Sequence, residues 1–189
     1  MKRKFFIVVL LALTCFGCSE NLVNTDSENG MQSKSNFNWM QMPKKSGMSS
    51  VETEYTVSRR IVGNQGGVLN LSGSYITEDN NTVTISSELI IPSRAYNGAE
   101  VITQITSTDA AVSDFYPSMS FNSPLILNIK YSGLDLSGVD PAAVGFYYIA
   151  ESGELEAAQN DGIIVDTING TIEVKAARLP HFSRYGFIK

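Results

Sequence analysis

Carboxylates are the commonest ionisable side chains in this 189-residue chain, which has 19 acidic residues and a single histidine. Several carboxylates that converged on one point would bind Ca²⁺. The run Glu78-Asp79-Asn80-Asn81 lacks the spacing of an EF-hand loop, and the other acidic residues lie scattered over predicted loops. These other residues are Asp109, Asp114, Glu151, Glu154 and Glu156. We therefore expect a solvated acidic surface that holds no metal and no cofactor.

The sequence also lacks the common catalytic motifs. It contains no G-x-S-x-G elbow, no glycine-rich phosphate loop and no H-E-x-x-H pair. This absence favours a protein that is not an enzyme.

The first eighteen residues have the order of a secretory signal. A basic start, Met1-Lys2-Arg3-Lys4, precedes an unbroken apolar run from Phe5 to Leu13, and small residues and cysteines follow. The apolar run is shorter than the about 20 residues that span a bilayer. Cys18, directly after Gly17, resembles the lipobox of bacterial lipoproteins, in which the signal is cut just before a cysteine that then carries acyl chains.

The resemblance to the lipobox implies that residues 1–17 are a signal peptide and that Cys18 is the lipid attachment site. Cys15 is an alternative with less suitable residues before it, and an ordinary signal without a lipid is another. The implied location is the bacterial cell envelope. Ser19 stands where an aspartate retains some lipoproteins at the inner membrane, so we expect the anchor in the outer membrane. The sequence does not decide between the periplasmic side and the cell surface.

The cysteine count and the charge of the mature chain follow from this cleavage. Cys15 leaves with the signal and Cys18 carries the lipid, so no thiol remains for a disulfide, and one histidine alone does not build a zinc site. Removing Lys2, Arg3 and Lys4 from the 14 basic residues leaves 11 against 19 acidic ones, a net charge of −8. An acidic chain without a Lys and Arg cluster excludes a nucleic-acid partner.

Residues 18–50 are predicted to be the lipidated N-terminus and a flexible tether. They are rich in Ser, Asn, Lys, Met and Gln and show no apolar period. One stretch differs, because it brings together Phe37, Trp39, Met40 and Met42. We expect these side chains to dock on the folded domain; the alternative is a short adhesive segment for a partner.

Residues 51–189 are predicted to be one all-β domain. Short runs of β-branched and aromatic residues alternate with turn residues, and Asn169-Gly170 is the strongest hairpin signal. Pro124 is expected to begin a strand. In one other strand, three residues are expected in the core: Val101, Ile102 and Ile105. Roughly eight to ten short strands with regularly spaced turn signals indicate a sandwich or barrel, and we expect an antiparallel β-sandwich.

Four stretches resemble the ZU-five domain, a β-sandwich shared by ankyrins, netrin receptors and tight-junction scaffold proteins and also found in bacterial envelope proteins. They are Gly66-Gly67-Val68-Leu69, Glu88 to Ala95, Phe115 to Leu125, and Leu179 to Tyr185. The second resembles the family's "L-x-I-P-x-G-A" corner, with Arg94 where glycine is usual, and the last resembles its closing "H-F-S-x-Y" strand. The resemblance implies a β-sandwich that binds other proteins.

In some relatives with the ZU-five fold, the tripeptide that matches His181-Phe182-Ser183 cleaves itself. The serine hydroxyl attacks the preceding Phe carbonyl with help from a histidine, which requires a base within hydrogen-bond reach and a strained or exposed carbonyl. The resemblance implies Ser183 as nucleophile and His181 as its assistant. We expect the structural alternative, in which Phe182 faces the core while His181 and Ser183 make hydrogen bonds at the surface or edge of the sheet.

Three functions therefore stay open. We expect a non-enzymatic module that is anchored to a membrane by lipid and binds a protein partner. The first alternative is a glycan-binding lipoprotein with tyrosines as its aromatic platform, and the candidates are Tyr75, Tyr96, Tyr116, Tyr147 and Tyr148. The second alternative is a self-cleaving domain that is cut between Phe182 and Ser183.

Overall fold

The computed structural model describes residues 37–47 and 54–189, and the secondary structure of these residues is almost entirely β. Eleven strands form two antiparallel sheets, which confirms the expected all-β sandwich. The predicted signal peptide of residues 1–17, the lipid site Cys18 and the rest of the tether up to residue 36 lie outside the described residues. Within the described ranges, no helix is both long enough and apolar enough to cross a membrane.

The strands follow one another along the chain, and the longest connection within residues 54–189 is 133–144, between the sixth and seventh strands. Their bounds are β1 Glu54–Val62, β2 Gly67–Ile76, β3 Thr82–Ile91, β4 Ala99–Ser107, β5 Val112–Tyr116, β6 Ser120–Ser132, β7 Gly145–Ile149, β8 Leu155–Ala157, β9 Gly162–Asp166, β10 Thr171–His181 and β11 Arg184–Ile188. A single 3₁₀ turn, Pro141–Ala143, precedes β7. The first sheet has the order β1-β4-β5-β11-β7-β8, and the second sheet has the order β2-β3-β6-β10-β9.

Alternation along the strands places the core between the two sheets. In β3, the buried Val83, Ile85 and Leu89 alternate with exposed polar residues such as Thr84 and Glu88. Burying an aliphatic side chain of this size contributes roughly 1.5–3 kcal/mol, so this alternation fixes which face of each strand points inward.

The segment Phe37–Gly47, which the sequence assigns to the tether, lies against the sandwich in the structure. Met40 donates its N–H to the Phe187 carbonyl (2.8 Å) and accepts from the N–H of Ala111 (2.8 Å), so the segment enters the first sheet beside β11. Further on, Lys45 forms a β-bridge with Thr77 after β2. Three of the four large apolar residues of the segment are buried, namely Trp39, Met40 and Met42, and Phe37 is half-buried. The described part of the domain therefore includes Phe37, which lies fourteen residues before the predicted boundary at residue 51.

Two positions at one end of the sandwich have a left-handed backbone. Gly66 has φ +71°, and a Cβ there would lie 2.4 Å from the Ile91 carbonyl oxygen, so this close approach of two backbones needs glycine. Arg94 has φ +67° in the turn after β3. Its N–H donates to the Gly63 carbonyl (2.7 Å), which holds the turn in this less favourable conformation.

The prediction that Pro124 begins a strand is wrong, because β6 already starts at Ser120. The pairing of β6 with β10 shifts register between Leu179 and His181, opposite this stretch. Proline has no N–H to donate to a neighbouring strand. It is tolerated inside β6 because the ladder is irregular at this point and does not require that hydrogen bond.

Candidate functional site

The tripeptide His181-Phe182-Ser183 forms the corner at which the chain passes from the second sheet to the first. β10 ends at His181 and β11 begins at Arg184, so this connection between the two sheets consists of Phe182 and Ser183 alone. The Phe182 N–H donates to the Met119 carbonyl (2.8 Å), and the Ser183 carbonyl accepts from the Phe115 N–H (3.2 Å). The backbone of the corner is thus held on both sides.

The Phe182 side chain is 3% exposed and packs among other aromatic rings in the core. It stacks on Phe115 with ring centroids 5.6 Å apart and meets the edge of Phe121 at 4.8 Å. Aromatic pairs of this kind contribute about 0.5–1.5 kcal/mol beyond the area they bury. Phe182 therefore anchors the corner to the core, as expected from the alternation of the strand.

His181 and Ser183 have different hydrogen-bond partners. Ser183 Oγ donates to the Ile149 carbonyl oxygen at 2.5 Å, while His181 Nδ1 lies 3.3 Å from the Phe182 carbonyl oxygen. The His181 ring also meets the edge of Tyr148 at 5.1 Å. A carbonyl does not act as a base, so the hydrogen bond to Ile149 does not activate the serine. The geometry places His181 near the carbonyl of the Phe182–Ser183 peptide bond, which self-cleavage would break, but does not join His181 to the serine hydroxyl by a hydrogen bond.

A group of side chains from three strands surrounds this corner. The Tyr185 hydroxyl donates to the His181 carbonyl (2.7 Å), and Tyr148 stacks on Tyr185 with centroids 5.2 Å apart. The Tyr148 hydroxyl donates to Glu156, and this hydrogen bond together with burial raises the pKa of Tyr148 to about 12. Both tyrosine hydroxyls thus act as donors to fixed acceptors and stay protonated at neutral pH.

The carboxylates named from the sequence do not converge. Asp114 forms a bidentate ion pair with Arg184, with N–O distances of 2.8 and 2.7 Å, and Glu156 accepts from Tyr148. Asp109, Glu151 and Glu154 are exposed. Among the residues that the structure describes, no group of three His, Cys, Asp or Glu side chains could hold a metal ion.

The five candidate tyrosines do not form an exposed platform of paired rings. Tyr75 and Tyr96 are buried and donate to the Pro43 and Ile61 carbonyls, and Tyr147 and Tyr148 are half-buried. Tyr116 is the exception, at 49% exposure. The near-parallel ring pairs in the described ranges are Phe115–Phe182, Phe146–Tyr185 and Tyr148–Tyr185.

An exposed apolar patch lies on the outer face of the first sheet, and the sequence did not reveal it. We call it the β4–β5 patch and define it as Val101, Thr103, Ile105 and Tyr116. Thr103 pairs directly with Tyr116 across the two strands, and Val101 is 54% exposed. The expectation that Val101 and Ile105 face the core is therefore wrong, whereas Ile102 is fully buried as expected.

The reason for this orientation lies in the polar residues that take the inward positions of β4. Gln104 and Thr106 are both fully buried between the sheets. Gln104 Nε2 donates to the hydroxyl oxygens of Ser87 (3.0 Å) and Thr106 (3.2 Å), and the Thr106 and Ser113 hydroxyls lie 2.7 Å apart. Mutual hydrogen bonding lowers the cost of burying these groups, and Val101 and Ile105 then face outward.

A shallow groove of about 420 Å³ lies at the end of the sandwich where Phe37–Gly47 packs. It is lined by the turn at Asn81 and Thr82, the loop from Gly133 to Ser137 and the turn from Thr167 to Gly170. The Asp135 carboxylate in the wall of this groove accepts a hydrogen bond from the Ser137 N–H (3.0 Å), which stabilises the loop itself.

No protein-family model, curated protein or solved structure matches this chain.

Proposed function

We propose that this chain is a lipid-anchored protein of the bacterial cell envelope, whose β-sandwich binds another protein and carries out no catalysis. The observation that carries the proposal is the β4–β5 patch. Val101 and Tyr116 expose apolar side chains next to each other on a regular sheet face. Exposed apolar groups on a rigid face are typical of interaction surfaces, and tyrosine is enriched there.

Charged side chains border the patch. Arg60 pairs with Val101 across β1 and β4, and the Asp114–Arg184 ion pair lies beside Ile105, which is the partner of Asp114. An apolar centre with a polar rim is the usual arrangement of a protein-binding surface. The partner would offer apolar side chains to Val101 and Tyr116.

The resemblance to the ZU-five domain supports the same function. Arg94 occupies the place where the family's corner usually has glycine, and its φ of +67° is the conformation that glycine adopts most readily. A β-sandwich whose relatives bind proteins is consistent with a binding role, although fold alone does not determine function.

Site-specific crosslinking tests the binding surface. A photoreactive residue at Thr103 is compared with one at Ser74 on the outer face of β2, in the bacterium that produces the protein. We expect one protein to be captured from Thr103 and not from Ser74. That protein, once purified, should bind the chain from Ser19 to Lys189 at least tenfold more weakly after Val101→Lys, because interface centres carry most of the binding energy.

The matched control for this substitution is Ser74→Lys, which should leave the dissociation constant unchanged. An adduct that forms equally from both positions, or a dissociation constant that Val101→Lys does not change, would contradict the proposal.

The absence of self-cleavage is tested by mass. Intact masses of the chain from Ser19 to Lys189 and of its Ser183→Ala variant, measured under denaturing conditions, should both correspond to whole chains. We expect this because Ser183 donates to the Ile149 carbonyl. A wild-type chain cut between Phe182 and Ser183, with the variant whole, would instead identify a self-cleaving domain.

The anchor is tested separately on the full precursor. Metabolic labelling with a fatty-acid probe should mark the wild-type protein, and the label should be lost in Cys18→Ser. Label that persists in Cys18→Ser and disappears in Cys15→Ser would assign the lipid to Cys15.

A further inference from the structure

The described sandwich has four edge strands, and three of them are protected against pairing with another chain. β1 carries exposed Arg59 and Arg60, and β8 has only three residues, a length that limits pairing at an edge. The edge of β2 is capped by β1, because Tyr55 donates to the Ser74 carbonyl (2.5 Å) and Arg59 donates to the Val68 carbonyl (2.7 Å). Charges and capped carbonyls are common ways of blocking a sheet edge.

The fourth edge strand, β9, is five residues long, and its one charged residue is Asp166 at its end. Its sequence is Gly162-Ile163-Ile164-Val165-Asp166, without lysine, arginine or proline. It pairs with β10 alone, and its other side ends the second sheet. The turn Pro141–Ala143 approaches β9, but the Ala142 and Ala143 N–H groups bond to Asp140, so this turn does not pair with it.

The single charge on β9 belongs to the following turn. The Asp166 carboxylate accepts from the backbone N–H groups of Ile168 (3.1 Å) and Asn169 (2.9 Å) and from the Asn169 side chain (2.7 Å). These hydrogen bonds fix the carboxylate at the hairpin. β9 therefore presents an apolar edge, and its outward residue Ile164 is 43% exposed.

The sequence of β9 complements itself in an antiparallel pair. When two copies align about Ile164, each Ile164 lies opposite the other, Ile163 lies opposite Val165, and Gly162 lies opposite Asp166. No like charges meet in this register, although the mature chain carries a net charge of −8. The half-buried Ile163 and Val165 would each gain an apolar neighbour.

We infer that β9 pairs with β9 of a second copy, so that two chains form a symmetric dimer with one continuous ten-stranded sheet. Both partners use the same edge, as a twofold axis requires. This self-association goes beyond the proposed binding of another protein and does not rest on it, because the β4–β5 patch lies on the other sheet.

Sedimentation of the chain from Ser19 to Lys189, from micromolar to millimolar concentration, tests the dimer. We expect the mass to rise from monomer to dimer, and Ile164→Lys should weaken the association at least tenfold, because it places two like charges opposite each other. The matched control is Ile76→Lys, since Ile76 is 53% exposed on the same face of the capped edge strand β2. It should associate like the wild type.

A cysteine variant keeps the test independent of any folding defect in Ile164→Lys. The chain from Ser19 onward contains no cysteine, so Ile164→Cys introduces the only thiol. Mild oxidation should crosslink Ile164→Cys into dimers at least tenfold faster than Ile76→Cys, because two opposed residues of an antiparallel pair lie within disulfide reach. A chain that stays monomeric at millimolar concentration, or equal crosslinking of both variants, would overturn the inference.

Discussion

Shortening Met40 to alanine tests whether Phe37–Gly47 belongs to the folded domain. Met40 is 2% exposed, and its backbone is bonded to Phe187 and to Ala111. Removing a buried side chain of this size costs about 3 kcal/mol, from the lost transfer free energy and the cavity that remains. The same change in a solvated tether would cost close to nothing.

The variant Lys44→Ala is the matched control. Lys44 lies in the same segment with an exposed side chain, and its carbonyl accepts from the Glu78 N–H (3.0 Å), a backbone bond that the substitution leaves intact. We expect its free energy of unfolding to stay within about 0.5 kcal/mol of the wild type. For Met40→Ala, a loss of about 3 kcal/mol corresponds to a melting temperature lower by about 9 °C in a domain of this size.

Urea unfolding of the chain from Ser19 to Lys189 provides two independent signals. Trp39 is the only tryptophan and is 8% exposed, so its fluorescence reports on the segment, while far-UV circular dichroism reports on the sheets. We expect the two transitions to coincide, as in a two-state domain, and to shift together in Met40→Ala. A Trp39 transition that comes earlier, with the dichroism unchanged by Met40→Ala, would show that the segment is not part of the fold.

Two further predictions concern buried polar groups. Within the described residues, the Tyr131 hydroxyl is buried with at most a weak contact to the Ser113 hydroxyl and no hydrogen bond of normal geometry. Tyr131→Phe should therefore leave the free energy of unfolding unchanged or raise it by up to about 1 kcal/mol. Gln104→Ala should lower it, because the Gln104 side chain donates to Ser87, and urea unfolding measures both changes. Burial raises the pKa of Tyr75 to about 12 and also raises the pKa of Tyr131 and of Tyr185, above an ordinary value of 10.0. As the pH rises, these tyrosine hydroxyls lose their protons in the unfolded chain before they do so in the folded chain. Their contribution to the free energy of unfolding should therefore be constant below pH 10 and should fall as the pH rises from 10 toward 12. A urea midpoint that is no lower at pH 11 than at pH 9 would contradict this, and Tyr131→Phe should reduce the fall.

Local signals predicted the turns and the fold class. Asn169-Gly170 was expected to close a hairpin, and β9 and β10 pair antiparallel on either side of it, with Gly170 at φ +59°. Pro92, which has no N–H to donate to a ladder, is a second signal of this kind, and β3 ends directly before it at Ile91. Both signals act through the backbone of a few adjacent residues, so they can be recognised without knowledge of the tertiary structure.

The orientation of β4 could not be predicted in the same way. Its run Val101-Ile102-Thr103-Gln104-Ile105 offers apolar residues to both faces, so alternation does not decide which face is buried. The decision depends on Ser87 and Ser113, which bond with the inward residues of β4 from other strands. Ser87 and Ser113 lie on other strands, so no pattern within β4 could predict these hydrogen bonds.

The docking of the apolar side chains of Phe37–Gly47 on the domain was expected, but the pairing of its backbone with the sheets was not, for a related reason. Its apolar residues stand in a short, polar stretch, and their partners Phe187 and Ala111 follow far later in the chain. A segment that pairs only through isolated bridges has no periodic pattern of its own to recognise.

The contact of Phe37–Gly47 with the sandwich would limit how far the domain can travel from the proposed lipid on Cys18. A tether that ended at residue 51 would have a fully extended length of about 115 Å, but one that ends at residue 37 reaches only about 65 Å. Asn38 donates to the Lys189 carbonyl (2.9 Å), so the chain enters the domain beside its last residue. Tyr116 and the rest of the β4–β5 patch lie toward the other end of β5 from this entry point. The length of the tether would therefore set the largest distance between the β4–β5 patch and the bilayer. Only partners that come within this distance of the membrane could bind the patch.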